Sequence, residues 1–237
     1  MINLYIKDML QKYIRNMKLS ITFITLAIAC VCMSISAGEK IKRERPGRLF
    51  SLSKIPLLED PGRDAWQKPE QIFDALKIEK GQHIGDIGAG SGYLTIKLAE
   101  RTGTTGTVYA VDIQQDMLDY IKHRLTEKGL KNVVLVLGDM NDPKLPPESL
   151  DTAILLSIYH EIVKPVDFIK KLKPVLKPNG KLAILEFGDE SPIGPPLYFR
   201  LPEDVIIDEV TAAGFTLSQR HTFLLPYQYL LVFTLSH

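Results

Sequence analysis

Cysteine is almost absent from this chain. Its 237 residues hold two, Cys30 and Cys32, both inside an apolar run near the N-terminus. No zinc-type cysteine spacing exists, and from residue 39 onward there is neither a thiol for redox or nucleophilic chemistry nor a possible disulfide. Net charge is scarce too: 29 Lys and Arg against 28 Asp and Glu leave a formal +1, which gives no general electrostatic case for nucleic acid. Tryptophan occurs once, at Trp66. Internal repeats and low-complexity tracts are missing. The length has room for one α/β domain plus an N-terminal extension, with ample apolar content for a core.

The chain is organised around His83-Ile84-Gly85-Asp86-Ile87-Gly88-Ala89-Gly90-Ser91-Gly92-Tyr93. A strand ends near Asp86, a glycine loop follows, and a helix starts near Tyr93, carried by Leu94, Ile96, Leu98 and Ala99. Gly88, Gly90 and Gly92 alternate, so the loop can take positive φ and bring its backbone against a ligand where a Cβ would clash. The amides opening the next helix then face that ligand with the positive end of the helix dipole. A second strand, Thr107 to Asp112, ends in an acid about 20 residues after the loop, where a ribose-binding carboxylate belongs. A third, Val133 to Leu137, runs into Gly138-Asp139-Met140. Asp86, Asp112 and Asp139 would thus ring one crevice. Any one alone reads equally as a turn or cap residue; three at three strand ends do not.

Asp-x-Gly-x-Gly-x-Gly does not fit the Gly-x-Gly-x-x-Gly of dinucleotide enzymes, because Tyr93 stands where the last glycine belongs. Loop and acids together resemble the class I S-adenosylmethionine-dependent methyltransferases, over roughly Ala65 to the C-terminus. The resemblance implies an α/β, Rossmann-like seven-stranded sheet, mostly parallel with an antiparallel C-terminal strand and helices on both faces. It implies S-adenosylmethionine as cofactor. Gly88, Ala89, Gly90 and Gly92 would lie against its methionine moiety, with Asp86 reaching the ammonium. Asp112 would accept from the ribose hydroxyls, Asp139 from the adenine amino group, and Ile113 and Met140 would line the base.

The acceptor side is sketchier. Ser157-Ile158-Tyr159-His160-Glu161 follows a fourth strand, Leu150 to Ser157, where the family places residues that touch the methyl group or substrate. His160 is the best candidate base, since its ordinary pKa lies near neutrality; a helix cap or a surface ion pair is the competing reading. Glu186, ending the fifth strand, could bind an acceptor amine or hydroxyl, or make a structural hydrogen bond. No Asn-Pro-Pro-Tyr-type tetrad follows strand four, which argues against amino-methylation of adenine or glutamine, and no Lys-Asp-Lys-Glu set or metal-ligand trio is visible. The pattern Gly-Asp-Met, Tyr-His-Glu and Lys-Pro-Asn-Gly looks most like the small-molecule and quinone or lipid branch. The expected activity is methyl transfer to a small-molecule or lipid-like acceptor; the alternative is a non-catalytic nucleoside- or S-adenosylmethionine-binding module. No nucleic-acid partner is expected.

Three segments are expected: 1–38, a basic plus hydrophobic signal or anchor; 39–64, a linker or cover; and 65–237, the methyltransferase domain. Read from Met17, a basic start, the apolar run Leu19 to Ile35 and the small residues Ser34, Ser36 and Ala37 have the layout of a secretory signal. Ala27-Ile28-Ala29-Cys30 loosely resembles a lipoprotein box, and an uncleaved anchor attaching residues 19–36 to a membrane is the third possibility. Export or membrane association follows from any of these. Lys40, Lys42, Arg43, Arg45 and Arg48 weakly favour keeping the following domain in the cytoplasm. Past the linker, a helix is expected from Pro69, with Trp66 either plugging it against the sheet or joining Arg63 in a lid over the cofactor. Asp116 to Lys128 reads as an amphipathic crossover helix, Lys177-Pro178-Asn179-Gly180 as a tight turn with Asn179 left-handed, and the last two strands as a hairpin turning at Pro226-Tyr227.

Overall fold

A computed structural model describes residues 45, 47 and 49–236. The expected signal, lipoprotein or anchor segment at 1–38 lies outside the described residues, among which no helix is long and apolar enough to cross a membrane.

Seven strands form one sheet: β1 (His83–Ile87), β2 (Thr107–Asp112), β3 (Val133–Leu137), β4 (Leu150–Leu156), β5 (Leu176–Phe187), β6 (Phe215–His221) and β7 (Gln228–Leu235). Their spatial order is β3-β2-β1-β4-β5-β7-β6. β1 to β5 run parallel, β7 is antiparallel to β5, and β6 is antiparallel to β7. The strand order reverses between β1 and β4, so a crevice opens at the carboxyl ends of these central neighbours. The near-continuous apolar runs of β4 and β5 are those of strands covered on both faces.

Helices supply that cover. α1 (Ile55–Leu58), α2 (Arg63–Gln67) and α3 (Pro69–Leu76) precede β1. α4 (Tyr93–Thr102), α5 (Gln115–Lys128), α6 (Pro165–Leu172) and α7 (Glu203–Ala212) follow in order. On one face, α3 and α4 bury Ile72, Phe73, Leu76, Leu94 and Leu98 against Ile84, Val108, Ile154 and Leu185. On the other, α6 and α7 bury Phe168, Ile169, Leu172, Ile206 and Val210 against Leu155, Ile184 and Phe233. α5 contributes Leu118, Ile121 and Leu125 at helical spacing, packed with Ile96 and Ala110. Phe73 is fully enclosed, and truncating such a side chain costs about 3–5 kcal/mol.

One expected turn takes another form. Lys177-Pro178-Asn179-Gly180 belongs to β5: Leu150 pairs with Leu176 and Thr152 with Lys181, so the four residues bulge out of the ladder opposite Asp151. Lys177 Nζ closes the bulge on Asp151 at 2.7 Å, and Asn179 does not take a positive φ. β6 stops at His221, ahead of the expected turn at Pro226-Tyr227.

Candidate active site

The glycine loop leaves β1 after Ile87. Gly88, Gly90 and Gly92 have φ of +78°, +53° and +78°, a region that L side chains rarely enter. The protein itself fills the space beside two of them. A Cβ at Gly88 would lie 2.5 Å from Ile158 Cδ1, and one at Gly92 2.8 Å from Ile121 Cγ1. Gly90 is the more open position, with Leu58 Cδ1 at 3.4 Å. The N–H groups of Gly88 and Ala89 both donate to Val111 O, at 2.8 and 2.9 Å, tying the loop to β2.

Asp86 and Asp112 sit at the carboxyl ends of adjacent strands β1 and β2. Asp86 is 2% exposed and accepts from the Thr95 hydroxyl at 2.6 Å. Burial pushes its carboxyl up to about 6, the Thr95 bond pulling the other way and Asp112 adding to the rise. Asp112 accepts the N–H of Gly90 on one oxygen (2.8 Å) and that of Gln114 on the other (2.9 Å). Burial raises its pKa as well, against those backbone bonds. With the Ile113 N–H also acting on it, the carboxylate meets three backbone donors with about four acceptor sites, so capacity remains for a ligand hydroxyl.

Asp139 sits differently. It is exposed, its Oδ1 accepts from Asn141 N at 2.9 Å, and Lys144 Nζ lies 3.5 Å from Oδ2. The Asn141 N–H and the Lys144 ammonium hold its carboxyl below the usual range. Its neighbour Met140 and, past β2, Ile113 are also exposed, at 49% and 38%. These three form an open rim, whereas Asp86 and Asp112 form a floor.

Across the crevice, Ser157 ends β4 with φ +58°, and Ile158 beyond it packs on Gly88, so the 157–161 turn abuts the glycine loop. His160 and Glu186, 26 residues apart, form a buried pair: Nδ1 lies 2.9 Å from Oε2 and 3.1 Å from Oε1, with exposures of 5% and 0%. The His160 N–H also donates to Glu186, at 3.2 Å. Burial draws the imidazole pKa down, but the charge and hydrogen bond of Glu186, with Glu161, outweigh it and hold His160 above its ordinary value. Facing a carboxylate, Nδ1 is best satisfied as the donor to Glu186, which leaves Nε2, 3.6 Å from Glu161 Oε1, as the nitrogen that gains or loses the proton.

Several contacts around the crevice have no local signature in the sequence. Gln228 Nε2 donates to Ser157 Oγ at 2.6 Å, and its Oε1 accepts from Gln67. Arg200 donates to five carbonyls, of Gly188, Asp189, Ser191, Pro195 and Ile193, and so organises the loop after β5. The stretch before α2 lies across the strand ends. Arg45 donates to Tyr159 O at 2.9 Å and pairs with Glu209, Phe50 exchanges two bonds with the Gln114 side chain, and Glu59 binds Arg124, which also donates to Ser91 O. Trp66 stands 6.0 Å from Phe187 and 5.7 Å from Tyr227, ring centre to ring centre, as a plug against the sheet. Arg63 shares its surface, 5.8 Å from the indole.

This floor, rim and sheet order are those of a nucleoside-binding α/β fold, and the comparisons with known proteins agree. Residues 78–211 match the sequence pattern of a methyltransferase domain. The chain is 30% identical over 144 residues to a demethylmenaquinone methyltransferase of Lactobacillus johnsonii, covering 59% of this chain and 58% of that one. It is 31% identical over 138 residues to a ubiquinone/menaquinone biosynthesis C-methyltransferase of Ectopseudomonas mendocina, covering 58% and 53%. A solved structure of a SAM-dependent methyltransferase from Aquifex aeolicus aligns with a TM-score of 0.74 at 29% identity, over 78% of this chain and 98% of that one. The chain spans about half the length of the curated relatives it matches. It belongs to the class I S-adenosylmethionine-dependent methyltransferase family.

Proposed function

We propose that this chain transfers a methyl group from S-adenosylmethionine to a ring carbon of a small hydroquinone-type acceptor. The observation that carries the reading is the buried His160–Glu186 pair on the turn that abuts the glycine loop. The relatives named for demethylmenaquinone and for ubiquinone and menaquinone biosynthesis support the acceptor class.

The residues present fit the cofactor: Asp112 keeps free acceptor capacity, Gly90 offers a positive-φ cradle, and Arg63 has an unmet buried donor. Asp112 would take the ribose hydroxyls and Asp86 the ammonium, with Gly88, Ala89 and Gly92 shaping the loop between them. Ile113, Asp139 and Met140 would edge the base. Ser157, fixed by Gln228, would border the sulfur side. When bound, S-adenosylmethionine supplies a methyl group already activated on a sulfonium.

What remains for the protein is orientation, exclusion of water and removal of one proton. His160 Nε2 would take the acceptor's hydroxyl proton. The resulting negative charge spreads from oxygen to the ring carbon ortho to it, which becomes the nucleophile; once methylated, that carbon gives up its own hydrogen and the oxygen regains a proton, so that one proton is released in all. Glu186 acts as a positioning residue, holding the ring orientation and stabilising the imidazolium as it forms.

The test is turnover. The full chain is incubated with S-adenosylmethionine and a short-chain demethylmenaquinol, and S-adenosylhomocysteine release is followed beside the product's carbon spectrum. Carbon methylation supports the proposal. Tight cofactor binding with no methylated product contradicts it and favours a binding module without catalysis.

A further inference from the structure

Arg63, on α2, is 9% exposed, and burial holds its pKa below the ordinary guanidinium value, with Tyr93, Glu59, Asp86 and Asp64 pulling the other way. Nη1 donates to Leu58 O at 2.8 Å. Nη2 reaches Gln67 Oε1 only at 3.4 Å, and Nε has no hydrogen-bond partner among the described residues. The guanidinium lies 3.8 Å over the ring of Tyr93, the first residue of α4 after the glycine loop. No carboxylate closes on it among the described residues: Glu59 is taken by Arg124, and Asp64 by Lys97 and the Tyr93 hydroxyl.

A desolvated cation that leaves a donor unmet is expensive, and the expense is recovered when an anion arrives. Nε and Nη2 share one edge of the guanidinium plane, the edge that grips a carboxylate with two parallel hydrogen bonds. The edge with the unmet donor is therefore the one suited to a carboxylate. Asp86, an acid among its electrostatic neighbours, is at the floor of the same crevice.

We propose that Arg63 binds the α-carboxylate of the cofactor's methionine end, opposite Asp86, so that the two residues read the zwitterion as a pair. The inference rests on the cofactor reading above and extends it to a residue outside the glycine loop and the strand ends. α2 is then part of the binding site.

The experiment is calorimetry on the full chain with three probes: S-adenosylhomocysteine, its decarboxylated analogue, and 5′-methylthioadenosine, which lacks the whole amino-acid end. Wild type should bind the first at least about tenfold more tightly than the second, the worth of a charge-assisted pair of bonds. In Arg63→Met that preference should vanish while 5′-methylthioadenosine affinity stays within about twofold. Arg63→Lys should restore part of the preference, as charge without the fork. Equal loss for all three probes would make Arg63 structural and overturn the proposal, as would an unchanged preference. The wild-type comparison decides even where the Met variant does not fold: no preference for the carboxylate rejects the role. Wild type binding none of the probes would overturn the cofactor reading along with it.

Discussion

Gly90 and Asp112 are joined by a 2.8 Å hydrogen bond from the glycine N–H to the aspartate Oδ2. The loop and the acid at the end of the next strand are therefore one rigid unit. Replacing Asp112 with Ala removes the loop's anchor together with the proposed ribose acceptors. S-adenosylhomocysteine affinity should fall more than about tenfold in a calorimetric titration, with a stability loss of about 1–2 kcal/mol on urea unfolding. An affinity unchanged from wild type rejects the assignment of Asp112.

Asp86 carries a strain that the proposed contact with the cofactor's ammonium would relieve. Its folded pKa, about 6, lies above its ordinary 3.8. A raised pKa means that its favourable contribution is complete below 3.8 and lost as pH rises through about 6. At pH 7.5 the buried charge thus burdens the fold by on the order of 2–3 kcal/mol. Asp86→Asn should raise the melting temperature at pH 7.5, bring little gain near pH 4, and weaken S-adenosylhomocysteine binding. Equal melting shifts at both pH values would show that the carboxyl is not the source.

His160 must be neutral at Nε2 to accept a proton, and its pKa is held above 6.5. Activity should therefore fall as pH drops through a value above 6.5. Glu186→Gln removes the dominant of the two charges that hold the pKa up, leaving Glu161 alone against burial. The acidic limb of the kcat/KM profile should move to lower pH while kcat drops. His160→Asn should lose about 100-fold or more in kcat with S-adenosylhomocysteine binding intact. The stability linkage has the same sign: the charged pair supports the fold below 6.5, and that support fades as pH rises through the raised pKa. A limb that stays in place in Glu186→Gln contradicts the pairing's role.

Arg200 holds the loop after β5 through five carbonyl oxygens. Arg200→Met strands those acceptors and should cost about 3 kcal/mol in urea unfolding, with faster proteolysis between 188 and 196. Cofactor affinity should change less than about twofold, because none of the residues assigned to the cofactor lies in that loop.

The sheet was legible because its signals are local. Alternating glycines after a strand and an acid closing the next strand need no tertiary information, and the apolar run of β4 announces a sheet covered on both faces. His160 and Glu186 were each legible as candidates, but their pairing across 26 residues depends on the β4–β5 register, which no periodicity encodes. Asp139 illustrates the opposite case. Its position at a strand end was readable, but an adjacent N–H and a nearby lysine engage its carboxylate in the turn, a local competition that Asp-containing turns often win. The Lys177-Pro178-Asn179-Gly180 turn became a bulge because β5 begins at Leu176, before the proline, and pairs there with β4. Arg63, Gln67 and Gln228 meet only because α2 packs beside the β6–β7 turn.

The central claim is that the crevice between the Gly88–Gly92 loop and Asp112 is a site for S-adenosylmethionine. Calorimetric titration of the full chain with S-adenosylhomocysteine, with NAD as the competing nucleotide, tests it most directly. S-adenosylhomocysteine should bind saturably and one-to-one, more than about tenfold more weakly in Asp112→Ala, and NAD should not bind. Binding of NAD in its place, or of neither compound, would contradict that claim.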